Sequence, residues 1–396
     1  MLAPLGKAPD WSVFDGYQNS ITRADFERLL TTVYAMPQSW STTLFMEDAQ
    51  VKIRRESAKS LLAADGTYDL KFGTAPATAQ RFWRKRSELP PLANPDRPLE
   101  GVRIALDPGH IGGNWAVMEE RNFQPESGPP VREGELTLIT ARLLQTMLME
   151  QGATVFLVRN RNEPVTDQRP KDFVALARQE LVAMGIDPDN PPNKAPVNTV
   201  RWQSEKLFYR TAEIRARAKL VNESMHPDVV VCLHFNASGS SWGAPGKPNY
   251  SDQNHLHILI NGGFGLDELV LDDQRQEMLL KLLGGVHEEE LGLAVSVADS
   301  LANSTGLPPF IYQSGAVPMP ASPYVWGRNL LANRLYACPV VYCEPFVMNN
   351  KFVAARLQEG DYEGQKEING VAVGSIFREY AEGVAAGLKK YFSGRR

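Results

Sequence analysis

Two histidines and one glutamate lie at or close to the ends of short apolar stretches of the sequence. His110 follows the apolar run 102–106, His234 ends a second run, and Glu344 ends a third. Ligands of open α/β sheets bind at the carboxyl ends of strands, so we expect the three side chains to meet at one edge of a sheet. Imidazole and carboxylate groups bind zinc and transfer protons. The pattern therefore predicts a zinc-dependent hydrolase.

A hydrolytic zinc site needs three protein ligands and a separate carboxylate that acts as the base. Glu133 and Glu135 begin the helix that follows His110, and either could supply the third ligand. The HExxH arrangement is absent, since the sequence 287–290 does not fit it. The ligands must therefore come from distant positions that the fold brings together.

Other polar residues near these runs have less certain roles. Asp107 could accept a hydrogen bond from His110, and Arg159 is expected to pair with a carboxylate near the site. His255 and His257 flank one residue in an apparent strand, so their side chains point to the same face. They could bind metal, line the rim or bind substrate. Asn236 could contact substrate or orient its loop.

The apolar segments after residue 101 alternate between strand-like and helix-like patterns. Short β-branched runs separated by amphipathic stretches favour an α/β fold, a three-layer sandwich with a mostly parallel or mixed sheet covered by helices on both faces. The predicted strands are 102–106, 154–158, 228–234 and 339–343, and the predicted helices are 135–151, 211–223, 288–303 and 374–392.

A proline-rich segment divides the chain. We predict a small N-terminal α+β module at 1–88, a linker at 89–101 and a catalytic domain at 102–396. The catalytic domain is expected to carry long insertions at about 160–206 and 238–287, which are rich in loop-forming residues. The sequence does not indicate whether the N-terminal module binds a regulatory partner.

The composition is that of a soluble globular protein. The 396 residues carry a net charge of −4, which gives no reason to expect nucleic acid as a partner. No stretch approaches the roughly 20 apolar residues of a transmembrane segment. The N-terminal residues lack the apolar core of a secretory signal, so either the protein stays inside the cell or a signal has been removed.

Four motifs make residues 102–392 resemble the zinc-dependent N-acetylmuramoyl-L-alanine amidases. The first is Asp-Pro-Gly-His at 107–110, and the second is the Glu133 helix start followed by an apolar helix. The third is His-Phe-Asn-Ala at 234–237, and the fourth is a strand ending in Glu-Pro-Phe at 344–346 with a following Asn. The order of the motifs along the chain is that of the family.

The resemblance implies that His110, Glu133 and His234 bind zinc and that Glu344 is catalytic. It also implies hydrolysis of the amide bond between N-acetylmuramic acid and L-alanine, with peptidoglycan or muropeptides as substrate. Because this substrate lies outside the cytoplasmic membrane, the resemblance implies export to the periplasm or cell envelope. In the family a Lys usually follows the glutamate ligand, where this chain has Gly134, and a Gly usually follows the catalytic glutamate, where this chain has Pro345.

Two other functions fit parts of the same pattern. A zinc carboxypeptidase or another amidohydrolase acting on small peptides would use an arginine fork for a terminal carboxylate, with Arg159, Arg161, Arg215 and Arg217 as candidates. A wall-binding protein with a decayed active site would lack a ligand or the catalytic glutamate. His110, Glu133, His234 and Glu344 are all present, which argues against a decayed active site. The sequence identifies no substrate-binding residue.

Overall fold

The computed structural model describes residues 1–55, 66–77, 81–193, 195–239, 243–244 and 247–394. In these ranges the strands are β1 (Leu44–Met46), β2 (Gln50–Arg54), β3 (Thr67–Lys71), β4 (Arg103–Pro108), β5 (Asn122–Phe123), β6 (Val131–Arg132), β7 (Thr154–Leu157), β8 (Val229–Leu233), β9 (Gly243–Ala244), β10 (Lys247–Pro248), β11 (Leu256–Ile260), β12 (Val317–Pro318), β13 (Val325–Gly327), β14 (Val340–Pro345), β15 (Lys366–Ile368) and β16 (Val371–Val373).

The α-helices of the same ranges follow in chain order. They are α1 (Arg23–Leu29), α2 (Glu133–Glu150), α3 (Val174–Ala183), α4 (Val200–Lys206), α5 (Glu213–Leu220), α6 (Leu266–Leu269), α7 (Asp272–Leu283), α8 (Val286–Thr305), α9 (Leu331–Leu335), α10 (Lys351–Gln358) and α11 (Ile376–Ser393). None of the helices in the described ranges is both long and apolar enough to cross a bilayer.

A seven-stranded mixed sheet forms the centre of the molecule, in the order β12-β13-β11-β14-β8-β4-β7. Strands β14, β8, β4 and β7 are parallel neighbours, whereas β11 runs antiparallel to β14. The carboxyl ends of β4, β8 and β14 therefore share one edge with the amino end of β11. This edge carries the polar residues that the sequence analysis selected.

The sheet is buried on both faces. In β4, Ile104 and Leu106 face a core with helices α2, α8 and α11, whereas Ala105 faces a second core with Ala218 and Tyr336. This alternation follows from the two-residue period of a strand. Two covered faces explain why the strands are apolar throughout. The arrangement confirms the predicted α/β three-layer sandwich.

The N-terminal segment contains α1 and the antiparallel sheet β1-β2-β3, which confirms its α+β character. Thr22 caps α1 by accepting a hydrogen bond from the Asp25 N–H at 3.0 Å. Phe26 and Leu89 lie in the same hydrophobic cluster as residues of the catalytic region. The division into module, linker and catalytic domain stays a prediction, because these parts share a core.

Both stretches predicted as insertions hold regular structure. Residues 160–206 include α3 and α4, and Thr199 caps α4 by accepting a hydrogen bond from the Trp202 N–H at 3.2 Å. Residues 238–287 include α6, α7 and the strand β11 of the central sheet. Strand β11 includes Leu256 and His257, which confirms the apparent strand at this position. Residues 240–242 and 245–246 of it lie outside the described residues.

His287 lies where the N-terminal segment packs on α8. Its ring is 6.4 Å from that of Tyr34, and the side chain is buried. Burial, assisted by the positive charge of Arg28, lowers the pKa of His287 to about 4, from 6.5. The unfolded chain therefore takes up this proton first as the pH falls, and the stability that depends on neutral His287 is lost between pH 6.5 and 4.

We expect His287→Gln to remove this part of the acid sensitivity. Between pH 7.5 and 4.5 the wild-type protein should lose about 2 to 3 kcal/mol more free energy of unfolding than the variant. Urea unfolding of both proteins at the two pH values measures the difference. Other acid-sensitive groups are common to both proteins and cancel. Equal losses would show that His287 does not resist protonation.

Candidate active site and metal centre

His110, Glu133 and His234 converge at the sheet edge. The Glu133 carboxylate lies between the two rings, with Oε2 3.2 Å from Nε2 of His110 and Oε1 3.0 Å from Nδ1 of His234. One ligand atom from each residue lies within 4.8 Å of the others. The Glu133 side chain is only 2% exposed. The structure therefore brings together the three residues predicted as metal ligands.

The backbone around Gly109 allows the two histidines to approach each other. A Cβ atom at Gly109 would lie 2.2 Å from the His234 ring, so any other residue would push His234 away. His110 itself adopts a left-handed backbone with φ of 58°. Phe235 donates its backbone N–H to Oε1 of Glu133 at 3.2 Å. The Pro-Gly-His turn thus presents the imidazole of His110 toward Glu133.

Glu119 holds the loop that carries His110. Its carboxylate accepts backbone N–H bonds from Ile111 at 3.0 Å and Gly112 at 3.2 Å, and it lies 3.5 Å from Nδ1 of His110. The prediction that Asp107 orients His110 is therefore wrong, because the ring faces Glu119 instead. The sequence analysis missed Glu119, since a lone glutamate in an irregular loop carries no periodic signal.

Asp107 instead belongs to a buried charge network beneath the site. Arg217 donates to Oδ1 of Asp107 at 2.9 Å and to Glu213 at 2.8 Å, and Tyr336 donates to the other oxygen of Asp107 at 2.5 Å. Arg217 also donates to the backbone carbonyl of His110 at 2.8 Å. The network ties helix α5 to the end of β4 and supports the loop that carries His110.

Arg217→Ala is expected to lower the free energy of unfolding by about 3 to 5 kcal/mol, because Asp107 and Glu213 would remain buried without a counter-charge. The matched control is Arg201→Ala, which removes an exposed pair with Glu205 on α4 and should leave the stability nearly unchanged. Urea unfolding with a common m-value measures both. A loss below about 1 kcal/mol would contradict the role given to Arg217.

Arg159 also supports the loop of His110, but its hydrogen-bond partners differ from those of Arg217. One of its guanidinium nitrogens donates to the backbone carbonyl of Gly134 at 2.7 Å and lies within 3.4 Å of those of Pro108 and Gly109. The expectation that Arg159 pairs with a carboxylate is wrong, because its hydrogen bonds go mainly to carbonyl oxygens. These bonds join the start of α2, which carries Glu133, to the loop of His110.

Glu344 shares a cavity with the three predicted ligands. The backbone N–H of His234 donates to the carbonyl of Cys343 at 3.0 Å, which aligns the ends of β8 and β14. The Tyr342 ring stacks on that of His234, with centroids 4.3 Å apart. The cavity has a volume of about 820 Å³. It is lined by His110, Glu120, Arg121, Glu133, Arg210, His234, Phe235, Asn236, Ala237, Ser238, Gly239, Gly243, Arg328, Leu330, Tyr342 and Glu344.

The side chains of the cluster shift one another's pKa values. Burial opposes ionisation of Glu133, but the two histidines outweigh it and hold the pKa of this carboxyl below its usual range. Burial likewise opposes the charged form of His110, yet Glu133 and Glu119 raise its pKa to about 9. Burial lowers the pKa of His234, which keeps that ring neutral. Glu133 is thus ionised, and its Oε2 also lies 3.3 Å from Nε of Arg121.

The pKa of Glu344 is shifted in the opposite direction from that of Glu133. Burial, together with the negative charge of Glu133, raises the pKa of Glu344 to about 8. A carboxyl with a pKa near neutrality can both accept and return a proton at physiological pH. The raised value therefore suits a group that takes up a proton in one step and releases it in the next.

The remaining candidates lie apart from the cluster. Glu135 pairs with Arg132 at 3.1 Å, and both side chains are half-buried. His257 is buried on β11 and lies 3.8 Å from Glu344. His255 lies beside it, with ring centroids 6.0 Å apart. The cluster of converging ligand atoms is formed by His110, Glu133 and His234. Glu135, His255 and His257 do not belong to it.

The arginines proposed for a peptidase fork do not line the cavity. Arg159 and Arg217 are buried and bound by carbonyls and carboxylates, and Arg215 lies 3.7 Å from Asp273. The arginines that line the cavity are Arg121, Arg210 and Arg328. Arg210 lies in the π-helical segment Leu207–Ala212, which joins α4 to α5. No sequence pattern indicated the role of this segment.

The donor set fits zinc. Zinc binds imidazole nitrogen and carboxylate oxygen, and catalytic sites combine three such ligands with an open fourth position. Here two imidazoles and one ionised carboxylate converge at the wall of an accessible cavity. Glu119 contacts His110 from behind, as the outer partners of metal-binding histidines do.

Comparison with known proteins identifies the catalytic region. Residues 104–373 match the sequence profile of a family described as N-acetylmuramoyl-L-alanine amidase. Among solved structures, the apo amidase Ami1 from Mycobacterium abscessus shares 18% identity, with 74% of this chain and 99% of that one covered and a TM-score of 0.39. The catalytic domain of CwlV from Bacillus (Paenibacillus) polymyxa shares 15% identity, with 73% and 96% covered and a TM-score of 0.37.

A comparison with curated protein sequences gave no match. The family match spans more than half of the chain and includes all four motifs of the site, from the His110 turn to the Glu344 strand. The chain therefore belongs to the N-acetylmuramoyl-L-alanine amidase family of peptidoglycan hydrolases.

Proposed function

We propose that this amidase is zinc-dependent and cleaves the bond between N-acetylmuramic acid and L-alanine, with His110, Glu133 and His234 as zinc ligands and Glu344 as the proton-transferring group. One observation carries the proposal. The three ligand atoms lie within 4.8 Å of one another in the wall of the cavity that also contains Glu344. Such a constellation has the ligands, the base and the space that amide hydrolysis needs.

Zinc, when bound, supplies a Lewis acid that polarises the scissile carbonyl and makes water a better nucleophile. Glu344 accepts the proton of the attacking water and delivers it to the nitrogen of the leaving L-alanine. Water thus adds hydroxyl to the muramoyl carbonyl and hydrogen to the amine, so the amide bond is replaced by a carboxyl and an amino group. Glu119 and Arg217 hold the His110 loop during this exchange.

The cavity offers positive groups for the peptide part of the substrate. Arg210 is exposed, and Arg328, which donates to Tyr312 at 3.2 Å, lines the same cavity. Guanidinium groups bind carboxylates in a bidentate manner, and a peptide ends in a carboxylate. We therefore propose muropeptides as substrates, with these arginines contacting the stem peptide.

The place of action follows from the substrate. Peptidoglycan lies outside the cytoplasmic membrane, so we propose that the protein works in the periplasm or cell envelope. We also propose that residues 1–88 act as an accessory module rather than as part of the catalytic machinery. They contribute no residue to the described lining of the cavity.

Elemental analysis combined with digestion of purified muropeptides tests the proposal. We expect about one zinc per chain and release of free stem peptide with an N-terminal L-alanine, detected by mass spectrometry. Chelation should stop the release and added zinc should restore it. Zinc with cleavage only inside the peptide would favour the carboxypeptidase alternative. No metal after incubation with zinc would refute the proposed site.

A further inference from the structure

His257 lies beside Glu344 because of the sheet topology. Strand β11 runs antiparallel to β14, and the register pairs the two residues directly. Directly paired residues of an antiparallel sheet point to the same face. Nε2 of His257 lies 3.8 Å from Oε2 of Glu344, and the imidazole side chain is 2% exposed. A buried nitrogen thus faces the proposed proton-transferring group.

A hydrogen bond from Asn236 fixes the proton on this ring. The Asn236 amide oxygen accepts the backbone N–H of Ala237 at 2.7 Å, which turns the amide nitrogen toward Nδ1 of His257 at 3.4 Å. An amide nitrogen can only donate, so Nδ1 must accept. In a neutral imidazole the proton then lies on Nε2, the nitrogen that faces Glu344.

The ring remains neutral at physiological pH. Burial, followed by the positive charges of His255 and Arg328, lowers the pKa of His257 to about 3. Its Nε2 lies 3.0 Å from the hydroxyl oxygen of Tyr312, which also accepts from Arg328 at 3.2 Å. With both lone pairs of that oxygen engaged, the Tyr312 proton is free to be donated. Burial and the adjacent Glu344 charge raise the pKa of Tyr312 to about 12, so this proton is retained.

We propose that His257 and Tyr312 are positioning residues for Glu344: Asn236 holds His257 in its Nε2–H tautomer, the His257 N–H donates to Tyr312, and the Tyr312 O–H orients the Glu344 carboxylate. The distance of 3.8 Å between His257 and Glu344 is longer than a hydrogen bond, so His257 acts on the carboxylate through Tyr312. The inference rests on the role of Glu344 under the proposed function.

The tautomer can be measured without any assay of activity. The chain contains six histidines, so long-range ¹H–¹⁵N correlation spectra of protein labelled with ¹⁵N-histidine resolve each ring. His257→Phe assigns the His257 signals. We expect the neutral Nε2–H form of His257 throughout pH 5 to 8. The Nδ1–H form, or a protonated ring within this range, would overturn the proposal even for a fully active amidase.

Kinetics on muropeptides supply the second readout. His257→Phe keeps the ring volume but removes the N–H, so we expect kcat to fall about 10- to 100-fold, with KM and zinc content changed less than about 2-fold. The matched control is His255→Phe, on the same face of the same strand and also packed against Phe310. We expect the control to keep its kcat within about 2-fold.

Two further variants separate positioning from packing. His257→Gln restores an N–H donor at a similar reach and should recover kcat to within about 3-fold of wild type. Tyr312→Phe should lower kcat by about 3- to 10-fold, and adding it to His257→Phe should cause little further loss because both act on one carboxylate. The proposal would be overturned if the two losses in kcat multiplied in the double variant, or if His257→Phe left kcat unchanged. A wild-type protein that binds zinc but leaves muropeptides intact would instead refute the proposed function, while the tautomer still tests this inference.

Discussion

Glu344→Gln is expected to lower kcat on muropeptides by about 10²- to 10⁴-fold while the protein keeps its zinc. Glutamine preserves the size of the side chain but cannot accept a proton, and general acid–base groups contribute factors of this order. The side chain lines the cavity together with the three predicted ligands without belonging to their cluster. Its loss should therefore impair proton transfer and leave metal binding intact.

Single-turnover hydrolysis and elemental analysis of the same preparation measure the two effects. The control is Glu363→Gln, an exposed glutamate far from the cavity lining, which should leave both unchanged. If Glu344→Gln keeps kcat within about 10-fold of wild type, Glu344 is not the base. If it loses zinc instead, Glu344 belongs to the ligand set and another group must transfer the proton.

Glu133→Gln is expected to weaken zinc binding by at least about 100-fold. Loss of a residue that only contacts a metal ligand costs less affinity than this. The carboxylate lies between His110 and His234 and accepts the Phe235 N–H, so a neutral amide would remove the only anionic ligand of the cluster. Amidase activity should disappear in parallel and return in part at high zinc concentration.

Glu135→Gln is the matched control, because it changes the other glutamate at the start of α2. It should keep zinc and activity, since Glu135 pairs with Arg132 on a half-buried surface. Competition titration with a chromophoric chelator gives both affinities. Zinc loss in Glu135→Gln with retention in Glu133→Gln would reverse the assignment of the third ligand.

Two departures from the family pattern have a physical explanation in the fold. A Cβ atom at Gly134 would lie 2.3 Å from the backbone nitrogen of Gly112, so the Lys usual in the family does not fit this packing of loop against helix. Pro345 follows Glu344, and the left-handed backbone conformation occurs one residue later, at Phe346 with φ of 61°. Phe346 is buried, and a backbone bond to His255 stabilises this strained turn.

The sequence by itself determined strands β4, β7, β8 and β14 of the central sheet and the polar residues at the ends of β4, β8 and β14. Apolar, β-branched runs of four to six residues identify buried strands locally, and a histidine or glutamate at the end of such a run is visible without any tertiary contact. His110, His234 and Glu344 were found in this way. Parallel strands then place their carboxyl ends on one edge, so the convergence of these residues could also be predicted.

The tertiary structure alone decided which neighbours act on those residues. Glu133 and Glu135 are two positions apart on α2, which rotates their side chains by about 200° around the helix, and only the docking of α2 on the sheet determines which one faces the histidines. The roles of Glu119 and Arg217 depend likewise on how a loop and α5 dock beneath β4. His257 meets Glu344 because β11 pairs antiparallel with β14. These contacts join residues distant in sequence or in irregular loops, where no local periodicity records them.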